Sequence, residues 1–308
     1  MTTSSTLRTP DERFAALPDW PYPPQYHEDL PGFARLRAHY VDVGSRPDAP
    51  VFLCLHGQPT WAYLYRRMIP IFAASGARVI APDLFGFGRS DKPADETFYT
   101  FDMHRRMLIA FIETLDLRNI TLVVQDWGGL LGLTLPLAAP SRFTRLLAMN
   151  TMLGTGDAPL SGGFIAWRAW ANANPDLPVG KLMRRTCPHF TDAEVAAYEA
   201  PFPDTHYRRG YGGFRIWCRS TRKTPARRSL DKHVIGGATI GAARPSWRSV
   251  RPTRCLGRRS CANSRSRFAA VRSLTCCLTP ATLRRSGAPR SPSALSERSR
   301  QVLSLGML

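Results

Sequence analysis

Acidic residues all but vanish from the last third of this chain. Residues 211–308 hold 21 Lys+Arg against only Asp231 and Glu297, whereas residues 1–210 hold 21 of each sign. The whole net charge of +19 therefore sits in the last 98 residues. Spread along the chain, that charge would point to nucleic acid or an anionic membrane. Confined to one end, it marks two different kinds of sequence. Also missing is any apolar run near the roughly 18 residues that span a bilayer, which argues against a membrane protein. The start has no charged segment followed by an apolar one, so no secretory signal is expected. The seven cysteines, an odd number, include no C-x-x-C pair of metal spacing. The expectations are no metal, no cofactor and a reducing cytoplasm.

What is present in the first two-thirds alternates between strand and helix. "RAHYVDVG" (37–44) reads as a half-exposed strand, and "PVFLCLHG" (50–57) as a buried one. "TWAYLYRRMIPIFAASG" (60–76) has helical spacing, with Pro70 a kink and Gly76 its stop. "ARVIAPDL" (77–84) is the next buried strand, followed by the glycine-rich turn "FGFGRSDKP". "TFDMHRRMLIAFIETLDL" (100–117) sets Met103, Met107, Ile112 and Leu115 near one helical face. "NITLVVQD" (119–126) is a third buried strand, "WGGLLGLTLPLAAP" a short helix, and "RLLAMN" (145–150) a fourth strand. This order predicts an α/β fold, a doubly wound, mostly parallel sheet with its site at the strands' carboxyl ends. Residues 152–210 break the rhythm with helical, aromatic stretches and read as an inserted lid that excludes water. The division expected is 1–151 for the amino-terminal part of the core, 152–210 for a helical cap and 211–308 for an aberrant Arg/Ser-rich tail.

Asp126 stands where the third buried strand meets Trp127, Gly128 and Gly129. A carboxylate at a strand-to-helix turn with glycines behind it is the arrangement that presents a nucleophile, with Asp in place of Ser. "HGQPTW" (56–61) ends the neighbouring strand, where the backbone amide of Gln58 can pair with that of Trp127 as an oxyanion hole. The plainer alternative makes Asp126 a helix N-cap.

Four stretches, "HGQPTWAYLYRRMIP", "GFGRSDKP", "VVQDWGG" and "YEAPFPDTHYRRG", together with the opening "LRTPDERFAALPDWPY", resemble haloalkane dehalogenases of the α/β-hydrolase fold. The likeness covers about residues 7–210. It implies that Asp126 attacks a halogen-bearing carbon and forms an alkyl ester, which water then opens to a primary alcohol. The partners implied are a small haloalkane, water and the halide product. Halide would leave between indole N–H donors, Trp127 and Trp167, with Trp170 a competing candidate. An indole suits an anion because it donates and has no acceptor. Gln58 replaces the Glu or Asn common in relatives, so only its backbone role carries over.

A histidine should then activate water, oriented by a further carboxylate. In the family that acid follows the strand after the nucleophile's, or the next one. Asn150 holds the first position, so the second is expected. The histidine should lie near the end in a G-H-F-like stretch, and it is absent. His233 is the single histidine beyond residue 210, and its surroundings do not match.

A shifted reading frame accounts for this. Let each tail residue be read from the last two bases of one codon and the first of the next. "TPATLRRSGAPRSPSA" (279–294) then admits D-A-G-H-F-A-Q-E-W-G-A-P-I-A-E-R. "PSWRSVRPTRCLG" (245–257) admits F-M-A-V-G, two open positions and D-P-V-L-G, while "FRIWCR" (214–219) admits F-P-D-L-V-P. Three family-like segments in order, in one frame, place a slip near Arg209–Gly213. The expected protein is a dehalogenase without its general base and acid, monomeric if it folds. Two alternatives stand beside it. An epoxide hydrolase would use lid tyrosines, Tyr198, Tyr207 or Tyr211, as proton donors. A non-catalytic scaffold would use its basic tail on nucleic acid, although the tail offers few aromatics among its arginines.

Overall fold

The computed structural model describes residues 5–44, 49–151, 153, 162–174, 176 and 178–210. The expectations for residues 211–308, and for the side chain of Trp167, lie outside them. The described strands are β1 (Thr6–Leu7), β2 (Gln25–His27), β3 (Ala38–Val43), β4 (Val51–Leu55), β5 (Arg78–Pro82), β6 (Lys92–Pro93), β7 (Ile120–Gln125) and β8 (Phe143–Met149). Six of them form one sheet in the order β2-β3-β5-β4-β7-β8. The pairs β2–β3 and β3–β5 are antiparallel, and β5–β4, β4–β7 and β7–β8 are parallel. Leu53 of β4 faces Ile80 on one side and Leu122 on the other. All three are buried. Apolar runs without alternation form these strands because both faces of the sheet are covered. At β8 the cover thins, leaving Thr144 and Arg145 exposed.

The helices are α1 (Ile69–Ala74), α2 (Phe101–Thr114), α3 (Trp127–Gly132), α4 (Leu135–Ala138), α5 (Gly162–Ala173), α6 (Val179–Thr186) and α7 (Asp192–Glu199). Thr100 caps α2, its hydroxyl accepting from the Met103 amide at 3.1 Å. Met103, Met107 and Ile112 are buried as their spacing predicts. Helices α5–α7 follow β8 where the lid was expected. Thr191 and Glu194 close a reciprocal capping box on α7.

Three local expectations need correction. Strand β3 is largely buried rather than half exposed, because both of its faces are covered: Ala38, His39, Tyr40 and Val41 are all buried. Its Tyr40 packs edge-on against Phe111 of α2, and His39 reaches Asp83. The stretch 60–76 is not one kinked helix. It is a 3-10 turn over Ala62–Tyr65 followed by α1, with Pro70 in the first turn. Proline has no amide hydrogen to lose there, so it starts the helix instead of bending it. The stretch after Asp126 divides into α3 and α4, since Pro136 opens a new helix and Thr134 turns its hydroxyl back onto the Leu131 carbonyl at 2.6 Å.

Asp83, just beyond β5, ties the layers together. Its carboxylate accepts from His39 Nδ1 at 2.6 Å, the Ala62 amide at 2.7 Å and the Arg89 amide at 2.9 Å. Burial alone would raise its pKa, but His39 and these donors outweigh it and hold the group below the ordinary carboxylate range. Its contribution to stability is thus complete at neutral pH and is lost only as pH falls through that lowered value. Asp83→Ala leaves buried donors unmatched and should cost about 3–5 kcal/mol, read as a lower thermal midpoint. A midpoint within 1–2 °C of the unsubstituted chain, roughly the noise of a surface change, would contradict this.

Candidate active site

Asp126 follows the last residue of β7 with φ 51° and ψ −125°. That left-handed conformation is unfavourable for a side chain with a Cβ, and it persists only where surroundings enforce it. Here they do. The Asp126 carbonyl accepts from Gly129 N at 2.9 Å, Leu130 N at 3.2 Å and Thr151 Oγ1 at 2.7 Å. Its amide donates to the Asn150 carbonyl at 3.3 Å. Gly128 is required as well, because a Cβ there would lie 2.1 Å from the Leu55 carbonyl oxygen.

Asp126 occupies the N-cap position of α3, yet its side chain makes no capping hydrogen bond. The plainer N-cap reading therefore does not describe what the carboxylate does. Instead Oδ1 accepts from the Gln58 amide at 2.8 Å, and the Trp127 amide also donates to the carboxylate. The two amides come from the ends of adjacent parallel strands, β4 and β7, as the doubly wound pattern predicts. Gly57 admits this contact: a Cβ on it would sit 2.5 Å from Oδ1. His56 fixes the loop from below. Its Nε2 accepts from the Leu84 amide at 3.0 Å, so Nδ1 carries the proton to the Gly57 carbonyl at 2.8 Å. Burial lowers its pKa. His56 is thus a neutral brace. Among the described residues, no histidine hydrogen-bonds Asp126.

The residue is partly open to solvent while its carboxylate is ringed by protein. Desolvation outweighs the two amide donors and raises its pKa to about 6. Trp127 is buried at the first position of α3. Trp170, on α5, lies under the Arg185 guanidinium at 5.3 Å and so is engaged in packing α5 against α6. Tyr198 accepts from Arg66 Nη1 at 3.1 Å and lies between Tyr63 and Phe190. Burial pushes its phenol up to about 12, which suits a structural group rather than a donor to an opening ring. Tyr207 is half-buried on the 3-10 turn Thr205–Arg208, and Tyr211 lies outside the described residues. No group of three or more His, Cys, Asp or Glu is placed to hold a metal among the described residues. None of their helices is long and apolar enough to cross a membrane. Two contributors escaped the sequence reading, Thr151 and Asp83. A threonine after a strand and an aspartate before a glycine turn carry no distinctive signal on their own.

Known proteins resemble this chain in sequence and fold. The family model described as alpha/beta hydrolase fold matches residues 50–272. A haloalkane dehalogenase of Psychrobacter cryohalolentis is 50% identical over 222 residues, covering 71% of this chain and 73% of that protein. One from Mycolicibacterium paratuberculosis is 43% identical over 210 residues, covering 68% and 69%. The chain belongs to the haloalkane dehalogenase family. Among solved structures, the tetrameric haloalkane dehalogenase of Paraglaciecola agarilytica aligns with TM-score 0.72 and 45% identity, over 75% of this chain and 77% of that one.

A carboxylate attacks carbon only when ionised, and the resemblance to dehalogenases makes Asp126 the expected nucleophile. With a pKa of about 6, the rate of ester formation should fall about tenfold from pH 7 to pH 5. Quenched-flow mass measurement across that range tests it, and a flat profile would contradict it.

Proposed function

We propose that this chain carries out the first half of haloalkane hydrolysis at Asp126 and lacks the groups for the second. The observation that supports it most is the Gln58 amide on Asp126 Oδ1 at 2.8 Å, on a residue held in a strained turn. The two amides orient the carboxylate, and one of its oxygens attacks the carbon. That oxygen's electron pair forms the C–O bond as the C–X bond breaks, and halide leaves with the bonding pair. The indole N–H groups of Trp127 and Trp167 receive the halide, with Trp170 the competing donor. The product is an alkyl ester of Asp126. In the complete reaction water adds to the ester carbonyl, and the Gln58 and Trp127 amides hold the resulting oxyanion. A primary alcohol then leaves.

Adding water requires a base, and a base requires an acid to orient it. Asn150 follows β8 where one acid position falls, and the decoded D-P-V-L-G and G-H-F segments belong to a displaced frame. We attribute the tail to a slip near Arg209–Gly213. The relatives' alignments of 210 and 222 residues support a break of that extent, although the broader fold model carries its match on to residue 272. The division at 151 and 210, a cytoplasmic location and a monomeric state belong to the same proposal. The solved relative named above is tetrameric. The epoxide alternative is weakened because Tyr198 is buried between the Tyr63 and Phe190 rings.

Treatment with 1-bromobutane should add one butyl group, mapped to Asp126, with at most one bromide released per chain. Trp167→Phe should slow adduct formation by about 100- to 1000-fold, the scale of one lost anion donor, and Trp170→Phe should leave it unchanged. Sustained turnover by sequence-verified chain would overturn the proposal, and so would a folded chain that gains no mass.

A further inference from the structure

The nine residues Gln58–Arg66 carry both the amide that holds Asp126 and the contacts that hold α7. Trp61, fully buried, donates its indole N–H to the Ala197 carbonyl of α7 at 3.1 Å. Arg66, 4% exposed, donates Nη2 to Glu194 Oε1 at 2.5 Å and Nη1 to the Tyr198 hydroxyl at 3.1 Å. Its guanidinium also lies 4.5 Å above the Tyr63 ring and 5.4 Å from that of Phe190. Arg67 adds a second donor to the same Glu194 oxygen at 2.7 Å. Glu194 Oε2 is taken by the Thr191 amide and hydroxyl, at 2.9 and 3.2 Å.

A buried ion pair of this kind adds little net stability, because desolvation offsets the attraction. It does fix geometry. Between Arg66 and Gln58 there is also little slack. Leu64 N bonds the Trp61 carbonyl at 2.8 Å, the Ala62 amide is held by Asp83 at 2.7 Å, and Thr60 N bonds the Gly57 carbonyl at 3.1 Å. These bonds leave the segment few ways to absorb a displacement of α7 before it reaches the Gln58 amide. Hydrogen bonds weaken steeply with misalignment, and a 1 Å error at a reacting group costs about 100-fold in rate.

We propose that Trp61 and Arg66 are positioning residues: seated against α7 of the cap, they hold the Gln58 amide on the Asp126 carboxylate. The cap then does more than shape a pocket, since it sets the register of the group that anchors the nucleophile. This rests on the reading of Asp126 as the nucleophile.

The test uses the full chain with Trp61→Phe, Arg66→Met, Arg66→Lys and Glu194→Gln, and 1-bromobutane as probe. Trp61→Phe and Arg66→Met should lower the maximal alkylation rate by about tenfold or more, with the half-saturating bromobutane concentration unchanged. The pH midpoint of alkylation should rise, because Asp126 loses a donor that favours its ionised form. Arg66→Lys should recover part of both effects. Hydrogen exchange supplies an arm independent of chemistry: the 56–62 peptide should lose protection in Arg66→Met and Glu194→Gln. If Arg66→Met fails to fold, Trp61→Phe carries the same comparison. Variants that melt earlier but keep the rate, midpoint and 56–62 protection would overturn the proposal, as would weaker binding at an unchanged maximal rate. An unsubstituted chain that gains no mass would refute the nucleophile reading separately, and the exchange arm would still decide the coupling.

Discussion

Everything in this site depends on one backbone conformation. Asp126 is held at φ 51°, where only a dense set of neighbours can keep a residue with a Cβ. Those neighbours come from every layer: Gly129 and Leu130 from α3, Asn150 and Thr151 from beyond β8, and Leu55 crowding Gly128 from β4. The turn aims the carboxylate at the end of β4, where the Gln58 amide meets it. The sheet's parallel centre is thus what creates the chemistry, since it brings the carboxyl ends of β4 and β7 side by side.

Much of this was legible in the residues. The buried strands declared themselves as unbroken apolar runs, and Gly57 beside Gln58 and Gly128–Gly129 behind Asp126 marked the two turns whose backbone amides meet the Asp126 carboxylate. What periodicity could not reveal was determined by tertiary neighbours. Strand β3 looked half exposed because its pattern says nothing about Asp83 and Phe111, which meet His39 and Tyr40 on its two faces. Pro70 and Pro136 were ambiguous, because proline can kink a helix or begin one, and here both begin one. The brace at Asp83 and the Trp61–Ala197 contact join residues far apart in sequence, so no local pattern announces them. The motif "HGQPTWAYLYRR" reads as catalytic at its start. Its second half contacts α7 through Arg66 and Arg67.

The chain also holds two sequences with different logic. Through Gly210, charge is balanced and apolar residues follow structural periods. Beyond it, 19 arginines and 14 serines follow none. A core made from such residues would bury unpaired guanidinium groups at prohibitive cost. On the proposed reading, β8 stands at an edge that in-frame strands would cover, and those strands would also bring the acid and the histidine. An exposed sheet edge is itself a liability for association between chains.

On the proposed reading, a complete dehalogenase is encoded on either side of a single displaced frame. Restoring that frame by one nucleotide correction within the codons for Arg208–Phe214, then following bromide release from 1-bromobutane, tests it most directly. Many turnovers per chain, abolished by Asp126→Ala, are the result the account predicts. A folded, corrected protein that releases no more than one bromide would contradict it.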